Sequence, residues 1–196
     1  MTQQKESVVT PERFAQGLSW SEWMAHIQRN VEKFQYNYDE TSISVEDARA
    51  LRALGELPNG PAEVLVLGED WCPDVFRGLP VLVRIAEAAG WEFRAFPRDE
   101  NADIISEFLK DGQHQSIPTA VFYARDHRYI AHWIERPAKA EAELGKIPEL
   151  FAGLDREKDR DEMRRRYDDF QRGGVWASWR DATVTEIRAL LEEKCR

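Results

Sequence analysis

The chain has 196 residues, 32% of them charged and 42% hydrophobic, with a formal net charge of −9. That length can bury a sizeable core and fits one domain with extensions, while the acidic balance argues against a general nucleic-acid binder. No apolar run approaches a membrane span and no signal peptide is visible at the start, so the expectation is a cytoplasmic protein whose two cysteines, Cys72 and Cys195, stay reduced.

Residues 1 to 18 are polar and read as loose at the start. Ser19-Trp-Ser-Glu22 has the form of a capping box. Behind it Trp20, Trp23, Met24, Ile27, Val31 and Phe34 step by three and four, which predicts one amphipathic helix with an aromatic, core-facing stripe. Ser44 is placed to cap a second helix, with Ala48, Leu51 and Leu54 inward and Gly55 closing it. Pro58, Gly60 and Pro61 then break the chain.

Val64 to Leu67 is a run of four apolar residues and reads as a buried strand. Gly68-Glu69-Asp70 turns, and Trp71 and Cys72 follow. From Val75 the apolar residues Phe76, Leu79, Leu82, Val83 and Ala86 recur at helical spacing, so a helix begins at or just after Cys72. A thiol at a helix N-terminus meets unpaired N–H groups and the positive end of the dipole, which favour the thiolate and predict a pKa below the free value of about 8.5. Glu69, Asp70 and Asp74 oppose that shift, and which effect wins depends on whether those carboxylates are solvated, which the sequence leaves open.

Gly90 ends this helix, and Trp91 to Phe96 alternates as a second strand. Asn101 is placed to cap a helix carrying Ile104, Ile105, Phe108 and Leu109, ending near Gly112. Two short strands, Ala120–Tyr123 and Tyr129–Ile134, flank a turn at Asp126-His127-Arg128. A helix from about Ala138 to Phe151 would cover the sheet. Asp155 to Arg172 alternates acids and bases and reads as a solvated helix. Gly173-Gly174 marks a hinge or turn, and Val175 to Trp179 is expected to dock its two tryptophans on the body. Thr183-Val-Thr-Glu186 has the form of a second capping box, opening a last helix. The order predicts an α/β fold, a mixed central sheet with helices on both faces, organised as an N-terminal helical extension (1–60), a core (61–152) and a C-terminal helical extension (153–196).

Trp71-Cys72-Pro73-Asp74, after a buried strand and at the start of a helix, resembles the active-site turn of the thioredoxin family. Pro80 inside the helix and Ile117-Pro118-Thr119 before the hairpin match the family's helix proline and its cis-proline, and the resemblance covers about residues 61 to 151. It implies a thioredoxin-like fold with Cys72 as nucleophile, and a substrate surface formed by Trp71, Pro73, Asp74, Ile117, Pro118 and Thr119. Two departures limit it. The second cysteine of the family's turn is replaced by Val75, and the family's buried aspartate, six residues before the first cysteine, by Val66. An ordinary two-cysteine reductase is therefore not expected.

Two functions follow. One is a monothiol thiol–disulfide oxidoreductase, its partner a disulfide-bearing protein or a low-molecular-weight thiol. The other is a redox-inactive thioredoxin-fold binding module that recruits a protein partner through its tryptophan-rich extensions. Neither needs a metal or other cofactor, nucleic acid or membrane. Cys195 reads as an incidental exposed thiol, with a resolving role or a dimer disulfide as alternatives. His114 can serve as a base toward Cys72 or as a plain surface histidine. Arg98 and Asp99 can hold a charged ligand or simply pair with each other. His26, His127 and His132 show no metal spacing.

Overall fold

Short polar caps set the first helices. The computed structural model describes residues 7–170 and 174–196. Thr10 accepts from the Arg13 N–H and opens α1 (Pro11–Phe14). Ser19 and Glu22 form the expected reciprocal capping box of α2 (Trp20–His26). Next come α3 (Val31–Asp39) and α4 (Val45–Gly55), the latter capped by Ser44 through the Asp47 N–H at 3.0 Å. Then follow β1 (Pro61–Gly68), α5 (Pro73–Ala89), β2 (Glu92–Pro97), α6 (Ala102–Ile105), β3 (Thr119–Ala124) and β4 (Tyr129–Ile134). The chain ends with α7 (Ala138–Leu144), α8 (Ile147–Leu150), α9 (Arg160–Phe170) and α10 (Trp176–Lys194).

The four strands form one sheet in the order β2-β1-β3-β4, with β1 parallel to β2 and the other pairs antiparallel. Successive residues of β3 face opposite ways. Phe122 meets Trp91 edge-on beside the end of α4, while Tyr123 turns to Phe14 of α1 and stacks on His127. Helices thus cover both faces, as expected. Leu65, Leu67, Leu79, Ile85 and Phe122 are fully buried, each contributing roughly 1.5–3 kcal/mol of apolar burial.

Helix α5 runs through Pro80, which has no N–H to offer the Phe76 carbonyl one turn back. The buried side chain of Asn37 fills that gap: its Nδ2 donates to the Phe76 carbonyl at 3.0 Å and to the Lys33 carbonyl at 2.9 Å. A side chain of α3 therefore completes the hydrogen bonding of α5.

Several local expectations are corrected. The stripe from Trp20 to Phe34 is two helices, because the Asp70 carboxylate takes the Gln28 and Arg29 N–H groups at 2.9 Å each and Asn30 turns left-handed at φ 54°. Asn101 caps nothing with its side chain; it donates to the Pro97 carbonyl and accepts from Arg13, and α6 stops at Ile105. The helix expected over 138–151 breaks into α7 and α8 around Gly145 and Pro148, and it is α10 that packs on β4. Thr183 lies inside α10, its hydroxyl donating back to the Trp179 carbonyl at 2.9 Å. Glu186 instead accepts from the Ala138 N–H and from the Trp133 indole, so it caps α7. Residues 7–18 are anchored rather than loose, with Val9 and Phe14 buried and Leu18 bridging Ala95. Residues 1–6 of that stretch, and Gly173 of the expected hinge, lie outside the described residues; Gly174 has φ 87°. Trp176 and Trp179 dock as expected, each 5% exposed.

Candidate active site around Cys72

Cys72 is the N-cap residue of α5, with Pro73 at the first helical position, where a missing N–H costs nothing. Its carbonyl accepts from Val75 and Phe76, and its own N–H donates to Glu69 across the turn. The turn is held from outside as well. Asp70 is tied to the α2–α3 break, and Glu69 accepts from the Asp99 N–H at 2.7 Å. Strand end, turn and helix start thus fix the position of the sulfur.

Cys72 is 9% exposed, and its thiol lies 3.8 Å from the Ile117 carbonyl oxygen. Ile117–Pro118 is a cis peptide, and Pro118 offers its own carbonyl to the Glu135 N–H. Trp71, 43% exposed, and the exposed Pro73 flank the buried sulfur. The structure therefore brings Trp71, Cys72 and Pro73 up to Ile117 and Pro118. Thr119 is fully buried, and its hydroxyl is occupied by the Ser116 carbonyl at 2.7 Å, which leaves it a structural part of the wall.

Burial pushes the Cys72 thiol above its ordinary range. The Val75 and Asp74 N–H groups at the helix start pull the other way, the Asp74 charge adds to the rise and Arg77 offsets it. The helix N-terminus favours the thiolate, but desolvation outweighs it and decides the balance that the sequence left open. Asp74 points away from solvent between two guanidiniums, Arg77 at 2.6 Å and Arg136 at 3.0 Å. Burial raises its pKa even so, against the pull of Arg77 and Arg136.

The other candidates stay outside. His114 is exposed, and its carbonyl takes the Lys110 N–H. Arg98 pairs with Asp99 at 2.6 Å, donates to the Gln115 carbonyl and lies 5.6 Å from the centre of the Trp71 ring, so the pair braces the turn. Cys195 is buried rather than exposed, at 6%. It sits where the charge of Arg128 is felt, at the start of β4, whereas Cys72 adjoins the end of β3–β4 pairing where Thr119 faces Ile134. A six-residue strand is about 20 Å long, so Cys195 does not reach Cys72. Both thiols are free. Among the described residues no cluster of His, Cys, Asp and Glu has metal-binding geometry, and no helix is long and apolar enough to cross a membrane.

Sequence reasoning missed Arg77, Arg136 and Asn37. The spacing of Asp74 and Arg77 along one helix was a usable signal. Nothing local marks Arg136 or Asn37, whose partners lie in other elements.

The family model described as Thioredoxin matches residues 17–150. A solved structure of a protein of unknown function from Pseudomonas aeruginosa superposes with a TM-score of 0.66 at 15% identity, covering 94% of this chain and 98% of that one. An HIV epitope-scaffold superposes with a TM-score of 0.61 at 16% identity, covering 96% of this chain and 99% of the other. No curated protein matches the chain. With a strand–turn–helix carrying Cys72, a cis-proline opposite it and a family match over most of its length, the chain belongs to the thioredoxin family.

Proposed function

We propose that the protein is a monothiol thiol–disulfide oxidoreductase acting through Cys72 in the cytoplasm, on a disulfide-bearing protein or a mixed disulfide of a low-molecular-weight thiol. The observation that carries this reading is the placement of the sulfur at the N-cap of α5, 3.8 Å from the Ile117 carbonyl. The Cys72 thiolate attacks one sulfur of a substrate disulfide, forms a mixed disulfide and expels the other sulfur as a thiolate. With Val75 at the resolving position, a thiol from solution completes the cycle. Its thiolate attacks the substrate sulfur, forms a new disulfide and returns Cys72 as thiolate. Electrons come from the external thiol, and no metal or nucleotide takes part.

A redox-inactive binding module is the second reading, favoured by the low exposure of Cys72. The burial of Trp176 and Trp179 takes away the surface first expected for its partner.

The test is alkylation of Cys72 against pH in a Cys195→Ser background, followed by turnover of a small mixed disulfide. The burial of the sulfur sets the expected midpoint above about 8.5, which leaves little thiolate at neutral pH and favours the second reading, so the oxidoreductase reading stands on turnover that is lost in Cys72→Ser. Unchanged turnover in Cys72→Ser sinks the oxidoreductase reading.

A further inference from the structure

The paired sheet ends at Thr119, which faces Leu67 on one side and Ile134 on the other, so Ile117 and Pro118 lie past its last rung. They are held instead from the corner after β4, where the Glu135 N–H donates to the Pro118 carbonyl at 2.6 Å. Glu135 does so from a left-handed backbone, φ 75°, a strained state for an L residue. Its carboxylate pairs with Lys110, in the loop that leads to Ile117.

The next residue ties this corner to α5. The Arg136 guanidinium takes Asp74 at 3.0 Å and the Glu135 carboxylate beside it, with Glu141 at 3.4 Å. Its Nε is buried without an acceptor. Two adjacent residues thus sit in unfavourable states, one of backbone and one of hydrogen bonding, which only their contacts to α5 and Pro118 can maintain. Helix α5 meets the same segment a second time. A Cβ on Gly78, one turn after Asp74, would lie 3.1 Å from Pro118 Cγ, so the helix approaches Pro118 about as closely as a glycine allows. Asp74, Arg136, Glu135 and Pro118 therefore form one continuous link. It runs from the helix that carries the sulfur to the wall 3.8 Å away from it.

We propose that Arg136 is a positioning residue for disulfide exchange at Cys72: by bridging Asp74 and Glu135 it sets the gap between the sulfur and the Ile117–Pro118 wall. Arg136 acts through Glu135 and the Pro118 carbonyl. The role rests on the oxidoreductase reading and adds to it a residue distant in sequence from the active turn.

The test is Arg136→Met in the full chain, read in two ways. Hydrogen exchange by NMR follows the Glu135 N–H, which is expected to exchange roughly tenfold faster than in the wild type as its bond to Pro118 opens more often. Turnover of a peptide–glutathione mixed disulfide, with glutathione as the external thiol, is expected to show KM raised about tenfold and kcat changed less than about twofold, the pattern of a loosened binding wall beside an intact nucleophile. An arginine of merely structural value would lower Tm and leave both readings in place. Unchanged exchange at Glu135, or faster exchange with an unchanged KM, overturns the proposal. A wild-type chain inert toward the peptide sinks the oxidoreductase reading alone, and the exchange rates then decide whether Arg136 holds the wall. Should Arg136→Met not fold, Arg136→Lys, which keeps the charge and loses the planar fork, takes its place with the same two readings.

Discussion

Asn37 and Arg180 meet at 3.2 Å through the same amide group that mends α5 below Pro80. One buried side chain therefore serves two elements: its nitrogen completes the active-site helix and its oxygen positions a guanidinium of α10. Replacing it removes three hydrogen bonds and leaves the Phe76 carbonyl without a donor.

Asn37→Ala is expected to destabilise the protein by about 2–4 kcal/mol, the cost of unsatisfied buried groups together with a small void. Urea unfolding measures it. A loss under about 0.5 kcal/mol, typical of a surface site, would mean that the amide is dispensable.

Asp74 holds Arg77 and Arg136 while its charge raises the neighbouring thiol. Asp74→Asn should lower the alkylation midpoint of Cys72, because a negative charge that disfavours the thiolate is gone while the backbone N–H remains. The same change unpairs two guanidiniums and is expected to cost about 1–3 kcal/mol in stability. The sign follows for pH as well: since the folded thiol titrates above the unfolded one, its contribution to stability is full below about 8.5 and lost as pH rises through the folded value. A midpoint that stays put or climbs in Asp74→Asn contradicts this account.

Val75 occupies the place of the family's resolving cysteine, fully buried in the first turn of α5. Val75→Cys should yield an internal disulfide with Cys72 on mild oxidation, since residues three apart in a helix lie within the span a disulfide bridges. Mass spectrometry before and after reduction reads the bond directly. Failure to form it would show that the start of the helix is too rigid to bring the sulfurs together.

The elements that the sequence made legible are those whose causes are local. The Ser19–Glu22 box, the buried run of β1 and the helix after Cys72 each depend on neighbours in the chain. Thr183–Glu186 has the same spelling as Ser19–Glu22 and the opposite outcome, because Glu186 is taken by Ala138 and Trp133. The break after His26 is likewise imposed from outside, by Asp70 in the turn before Cys72. At the site, the position of the sulfur was readable and its acidity was not. The helix start is written in the residues around Cys72, whereas the desolvation that decides its pKa comes from the burial of the assembled turn.

Helix α10, about 28 Å long, seats Arg180 against Asn37 near one end and buries Cys195 at the other. That makes Cys195 a poor handle for chemistry. A dye or resin attached to its sulfur has no room in the packed chain, so labelling pries up the final turn. Leu191 and Ile187, both fully buried, lie one and two turns back along the same face. A preparation tagged there reports on a loosened protein, and a serine at 195 is the cleaner background for any probe placed elsewhere.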